Sequence, residues 1–320
     1  MHEACGLPMI FPDAKRFAFT ILDDTDDSTL ENVRPVYERL RDLGLRTTKT
    51  VWPQECPEGS RNYFAADTLQ RSEYLEFVRE LVDAGFELAS HGATMETSER
   101  ERTERGLAFL EREFGAVPRL HANHGENREN IHWGADRFQS RLLRGVARIA
   151  SQHPPGTFAG IEPDSPYYWG DLFERHFDYL RNFTFASLDM LEVNPEMPYH
   201  LAQTPSVKGW FSTSDAPDVH AFRKLVTREG IDALEATGGV CIVSTHLGKG
   251  YTKDGRLDPV VDDLLEYVAS KPGWFVPVSS LLDHLALTRG GTSAPLSGLA
   301  LMRLELRFLF GRLAQRLGRG

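Results

Sequence analysis

The chain of 320 residues is 41% hydrophobic and sets 36 Lys and Arg against 46 Asp and Glu, for a formal charge of −10. That length and apolar content supply a core for one barrel-sized domain or two smaller ones, and the acidic balance excludes a general nucleic-acid binder, whose affinity comes from cations on phosphates. The opening residues lack a charged segment followed by an apolar one, no apolar run reaches spanning length, and Cys5, Cys56 and Cys241 show no C-x-x-C spacing, so a cytoplasmic protein without a disulfide framework is expected.

The first predicted element is the apolar run Phe17-Ala18-Phe19-Thr20-Ile21-Leu22, which has the length and composition of a buried parallel strand. It runs into Asp23, Asp24, Asp26 and Asp27, and carboxylates at the carboxyl end of such a strand face the crevice where α/β folds place their sites. Asp27 or Ser28 suits the cap of the helix predicted over 30–43. A strand over 45–52 and a polar loop over 53–61 follow. Then come a helix over 69–85 closing at Gly85, a strand over 86–90 and a helix over 98–115 closing at Gly115. Three alternations of strand and helix indicate βα units feeding a parallel sheet or barrel. Residues 123–215 are loop-rich and aromatic, and only a helix near 170–181 and a strand near 183–189 stand out there. Regularity returns with a helical region over 218–237, a strand over 238–246, a helix over 259–270, a strand over 274–278 and a helix over 279–288. Residues 290–296 read as a linker, and 297–320 as an amphipathic, Arg-rich helix. On its wheel Leu299, Met302, Leu306, Leu309, Phe310, Leu313 and Leu317 share one broad face, with Leu301, Leu304 and Phe308 off it. Such a helix is suited to packing on the domain, to homo-oligomerisation, or to peripheral contact with the inner face of a membrane.

Titratable residues recur at the predicted strand ends: Asp23 and Asp24, His91, His121 and His124, and His246. Their recurrence is the arrangement of barrel enzymes. Four stretches carry a resemblance to the polysaccharide deacetylase (NodB-homology) family of metal-dependent carbohydrate N-deacetylases. ILDDT (21–25) stands where that family has Thr-Phe-Asp-Asp-Gly, SHGATM (90–95) at its His-x-x-x-His motif, HANHG (121–125) at its Arg-x-Pro-x-Gly motif and STH (244–246) at its Leu-x-His motif. The match in order and spacing runs over residues 15–287. It implies a distorted (β/α) barrel over 1–289, followed by the linker at 290–296 and the C-terminal amphipathic basic helix at 297–320. It also implies Asp23 as general base, Asp24 and His91 as metal ligands, and His246 as general acid. Met95 occupies the place of the second motif histidine, and a thioether is a poor ligand for a borderline divalent ion such as zinc. His124, or else His121, is the residue placed to restore the third ligand.

The chemistry implied is metal-assisted hydrolysis of an N-acetyl group, with zinc the expected ion and an N-acetylated sugar the substrate, nucleotide- or lipid-linked and destined for a surface polysaccharide. Lys49, Trp52, His121, Asn127, Arg128 and Trp210 are the candidates for holding that substrate, through cations, amides and aromatic platforms. Two rivals are a metal-free carbohydrate-binding relative and a glycosidase using Asp23 and Glu126 as paired carboxylates.

Overall fold

The computed structural model describes residues 11–317, apart from 57–58, 61–65, 151–152, 155 and 292; Cys5 and the side chain of Leu317 lie outside what is described. Strand and helix alternate as β1 (Phe17–Asp23), α1 (Leu30–Asp42), β2 (Thr48–Val51), α2 (Ser72–Asp83), β3 (Glu87–Ser90), α3 (Arg100–Phe114) and β4 (Leu120–His121). The middle of the chain holds α4 (Arg141–Ala150), α5 (Gly170–His176), β5 (Tyr179–Phe185), α6 (Met190–Val193), β6 (Tyr199–His200) and β7 (Gly209–Asp215). After it come α7 (Val219–Leu225), α8 (Arg228–Thr237), β8 (Val240–Thr245), β9 (Thr252–Lys253) and β10 (Arg256–Leu257). The last elements are α9 (Pro259–Ala269), β11 (Gly273–Trp274), α10 (Val278–Leu287), β12 (Ala294–Pro295) and α11 (Gly298–Leu317).

Strands β1, β2, β3, β4, β5, β7 and β8 pair in parallel, and β8 returns to β1, closing a seven-stranded barrel ringed by helices. The distortion lies at β1, whose one edge is shared by β11 at Phe17–Ala18 and by β2 at Leu22–Asp23. Alternation along β1 sorts its side chains between two layers. Phe17, Phe19 and Ile21 pack with Val33, Val36 and Tyr37 of α1, whereas Ala18 and Leu22 join Ala89, Ala122 and Ile242 inside the barrel. Asp23 therefore has the parity of the helix-facing set, and Asp24 that of the interior.

Several expectations shift. Thr29, not Asp27 or Ser28, caps α1, in a reciprocal box with Asn32. The expected strand 183–189 begins at Tyr179, because α5 stops at His176. The expected strand 274–278 shrinks to Gly273–Trp274, since Pro277 has no N–H to give a ladder and caps α10 instead. Strand β7 lies inside the stretch read as loops, and Ala294–Pro295 of the expected linker pairs with β6. Helix α11 docks by the opposite face from the one its wheel favours: Leu301, Leu304, Glu305 and Phe308 are buried, while Leu299, Met302, Phe310 and Leu313 are exposed. Phe308 stacks on Phe183 at 4.5 Å, and the Glu305 carboxylate accepts the Gln139 and Ser140 amides at the start of α4. Among the described residues no helix is long and apolar enough to cross a membrane.

Candidate metal centre and active site

The loops after β1, β3 and β4 bring three ligand-bearing side chains together. Asp26, His91 and His124 place one ligand atom each within 4.8 Å of one another. The Nε2 atoms of His91 and His124 lie 3.4 and 3.7 Å from Asp26 Oδ1, and that oxygen is buried with no hydrogen-bond partner among the described residues. Both rings have a fixed tautomer. His91 Nδ1 donates to Ala122 O at 2.7 Å, an atom that can only accept, and His124 Nδ1 donates to Asn127 Oδ1 at 3.1 Å. The Nε2 lone pairs of both are thereby turned toward Asp26. Asn127 cannot flip, because its amide nitrogen donates to Glu96 O at 2.9 Å and to Glu129 Oε1 at 3.1 Å. Burial, and then the charge of His91, hold His124 down to about 4, so its imidazole is neutral near pH 7. An orphaned buried carboxylate oxygen facing two imidazole nitrogens is a donor set that fits a borderline divalent cation.

This set differs from the expected one in its carboxylate. Asp26, not Asp24, joins the histidines. Asp24 instead receives Arg181 Nη1 at 2.7 and 2.9 Å, and the same nitrogen reaches Ser244 Oγ at 2.5 Å. Burial works to raise the Asp24 pKa, but the charges of Arg181, His91 and His246 outweigh it and hold the group below its usual range. Asp26 is held far below its own usual range in the same sense: burial works to raise it, and the neighbouring His246, His91 and His124 outweigh that.

His246 places Nδ1 2.7 Å from Pro217 O and Nε2 3.4 Å from Asp26 Oδ2. Burial lowers its pKa, yet Asp26 and Asp24 together raise it above the usual histidine value. Lys249 Nζ stands 3.6 Å from both Asp26 and Asp27. The loop bearing His246 and Lys249 is pressed onto the β1 loop at Gly248, where a Cβ would lie 2.4 Å from Asp27 O; only glycine allows that approach.

Asp23 is not on this surface. It is fully enclosed, and its carboxylate receives Tyr37 Oη at 2.8 Å, Lys49 Nζ at 2.9 Å and the Leu247 amide at 2.8 Å. The structure thus places Asp23 in the layer between β1 and α1, enclosed in this network and away from the Asp26–His91–His124 cluster. Lys49, the β2 neighbour of Asp23 in register, is spent on the same pair. Trp52 is buried beneath the cluster, donating to His91 O and packing on the rings of His91 and His124. His121 is buried against Trp169, Phe173 and Phe177, and burial drives its pKa to about 3. Trp210 is buried with its N–H on Thr204 Oγ1. Of the six residues expected to touch substrate, only Arg128 is exposed; its guanidinium lies over Tyr167 at 4.4 Å. Sequence reasoning missed Arg181, the single charged residue of β5, whose signal was a charge at an interior position of a buried strand.

No family model and no curated protein matches the sequence. The fold is similar to that of a candidate polysaccharide deacetylase from Mycobacterium smegmatis, with a TM-score of 0.52 and 15% identity over 91% of this chain and 97% of that one. At that identity the likeness establishes the fold, a distorted (β/α) barrel of the polysaccharide deacetylase type. Weaker likenesses include a family 4 carbohydrate esterase from Streptomyces lividans in complex with acetate (TM-score 0.35, 12% identity, 88% of this chain and 98% of that one). Another is a family 4 acetyl xylan esterase from Clostridium thermocellum in complex with a cobalt ion (0.39, 12%, 87% and 94%). Neither carries an argument about this chain.

Proposed function

We propose that the protein is a metal-dependent hydrolase that removes the acetyl group from an N-acetylated sugar. The observation that carries this reading is the aim of two fixed imidazole lone pairs at the orphaned oxygen of Asp26. Asp26, His91 and His124 would hold a divalent ion, zinc in the first instance, which when bound supplies a polarised carbonyl and a water of lowered pKa. Asp24 takes up the proton of the attacking water, and Arg181 keeps it ionised and fixed in orientation. His246 has its Nδ1–H committed to Pro217, so its exchangeable proton rides on Nε2, facing the site, and is delivered to the departing amine. Unprotonated, that amine is a poor leaving group. The glycosidase alternative finds no support, because Asp23 is sealed and Glu126 is half exposed beside His153, whereas paired carboxylates must flank one bond.

The substrate class we favour is a nucleotide- or lipid-linked sugar processed in the cytoplasm for a surface polysaccharide. Arg128 and Lys249 support it, as two cations at the mouth suited to an anionic carrier.

The test is elemental analysis beside an assay of acetate release from N-acetylated sugars. Near-stoichiometric metal is expected in the wild type and in Asp24→Asn, and loss of metal in Asp26→Ala, His91→Ala and His124→Ala. Asp24→Asn should lower the rate by about 10²–10⁴. A protein that takes up no zinc, cobalt or nickel would be a metal-free binder, and acetate release that survives chelation would overturn the mechanism.

A further inference from the structure

Helices α4 and α11 and the turn at Trp133–Phe138 enclose a cleft of about 580 Å³. Its walls are apolar, with Phe138, Leu143, Leu306 and Leu309 among the lining side chains. Set into those walls is Arg137, 8% exposed, whose Nε and Nη2 are buried and have no hydrogen-bond partner among the described residues. The faces of Trp133 at 3.7 Å and of Phe183 and Phe308 at 5.5 Å cover the guanidinium plane, but a ring face leaves the in-plane N–H donors unmet. No carboxylate forms an ion pair with Arg137 among the described residues. Burial, together with the nearby guanidiniums of Arg312 and Arg181, draws its pKa down to about 9. A buried cation without a counter-ion is costly, and this one lines an open cleft. Arg312, held by Thr184 Oγ1 at 2.8 Å and paired with Asp215 Oδ2 at 3.5 Å, brings a second guanidinium to the same wall.

The mouth of the cleft is apolar as well. Val146, Phe310 and Leu313 line it and are 47%, 66% and 52% exposed, and Leu142 and Ile149 extend the exposed face of α4. The two helices carry three and four arginines, and Glu305, their single acid, is fully buried. On a chain of net charge −10, this is a local reversal of sign joined to an apolar rim.

The geometry points to a binding site for an anionic lipid: the phosphate enters the cleft and receives the in-plane N–H groups of Arg137, with Arg312 beside it, while the apolar chain leaves past Phe310 and Leu313 into the bilayer. A head drawn upward with its chains downward matches a protein resting on a membrane by α4 and α11. A second copy of the chain fits less well, because a two-fold contact through this face sets its arginines against their own symmetry mates. The site is independent of the deacetylase reading, and its test does not use enzymatic activity.

Co-sedimentation with vesicles provides that test, comparing phosphatidylcholine alone, phosphatidylcholine with phosphatidylglycerol, and phosphatidylcholine with a trace of polyprenyl phosphate. Binding is expected on at least one anionic composition and not on phosphatidylcholine alone. Saturation on the trace component identifies a carrier lipid, and dependence on phosphatidylglycerol identifies bulk phospholipid. Arg137→Met should weaken binding about tenfold to a hundredfold, without lowering the Tm measured in the absence of lipid, since it removes an unmet buried charge. Leu313→Glu, at an exposed position, should abolish binding with the fold intact. Equal binding by wild type and Arg137→Met, binding to no anionic vesicle, or a lipid-free dimer dispersed by Leu313→Glu would each overturn the proposal.

Discussion

Asp23→Asn distinguishes a structural carboxylate from a catalytic one. The side chains of Asp23 and Lys49 are 0% and 1% exposed and meet at 2.9 Å, with Tyr37 Oη and the Leu247 amide completing the carboxylate's partners. Neutralising one member strands the Lys49 charge in the layer between β1 and α1, and breaking a buried pair in this way costs about 3–5 kcal/mol. For a domain of this size that corresponds to roughly 5–15 °C of Tm. The companion variant Asp23→Leu/Lys49→Met removes both charges and should recover most of the loss, because the penalty belongs to the unpaired ion. Thermal unfolding followed by circular dichroism, with metal content measured on the same samples, reads both effects. An Asp23→Asn protein as stable as the wild type, metal-loaded and inactive, would refute the reasoning and return the role of base to Asp23.

The docked face of α11 is tested by Phe308→Ala, which should cost about 3–5 kcal/mol, against Leu299→Ala, which should stay within about 0.5 kcal/mol; equal effects in urea unfolding would contradict the packing. Glu129 is buried, and burial lifts its pKa from 4.5 to about 7. The folded state therefore holds a proton that the unfolded state has released between those values, and stability falls as pH rises through that window by at most about 3 kcal/mol. Glu129→Gln should flatten that slope in urea midpoints taken across the window, and an unchanged slope would refute the assignment. Met95 is 2% exposed and borders the cleft lined by Asp67, Thr68 and Arg71, so Met95→His in a His124→Ala background should restore no metal, and near-stoichiometric recovery would show that position 95 reaches the centre after all.

The alternation of βα units and the titratable strand ends were legible because parallel strands and amphipathic helices impose periods of two and 3.6 on the sequence. The division of labour among the aspartates was half legible. Phe17, Phe19 and Ile21 set a parity that already assigns Asp23 to the helix layer and Asp24 to the interior; Asp26 lies past the strand, where parity no longer applies and a turn with Asp27 at φ 57° decides the direction. The face of α11 was misread for a different reason. A wheel counts Glu305 as a mark of solvent, yet its carboxylate is buried because it accepts two amides at the start of α4. Strand β7 was hidden because Gly209, Ser212, Thr213 and Ser214 dilute its apolar signal.

A thioether at position 95 is compatible with a metal centre only if the replacement ligand is held as firmly as the one it replaces. The support for His124 is a chain of contacts from one strand-end loop to the next: His124 to Asn127, Asn127 to Glu96 O and Glu129, and Glu129 to the Ser98 amide. These contacts tie the loop after β4 to the loop after β3, which also carries His91. The Asp26 carboxylate is fixed independently, by the Gly248 approach that presses the loop after β8 onto the turn after β1. Exchanging one ligand thus involves Asn127 and Glu129 as much as His124. Their loss is expected to show in metal retention before it shows in the fold, because both lie at the barrel mouth, outside the two clusters that form the hydrophobic core.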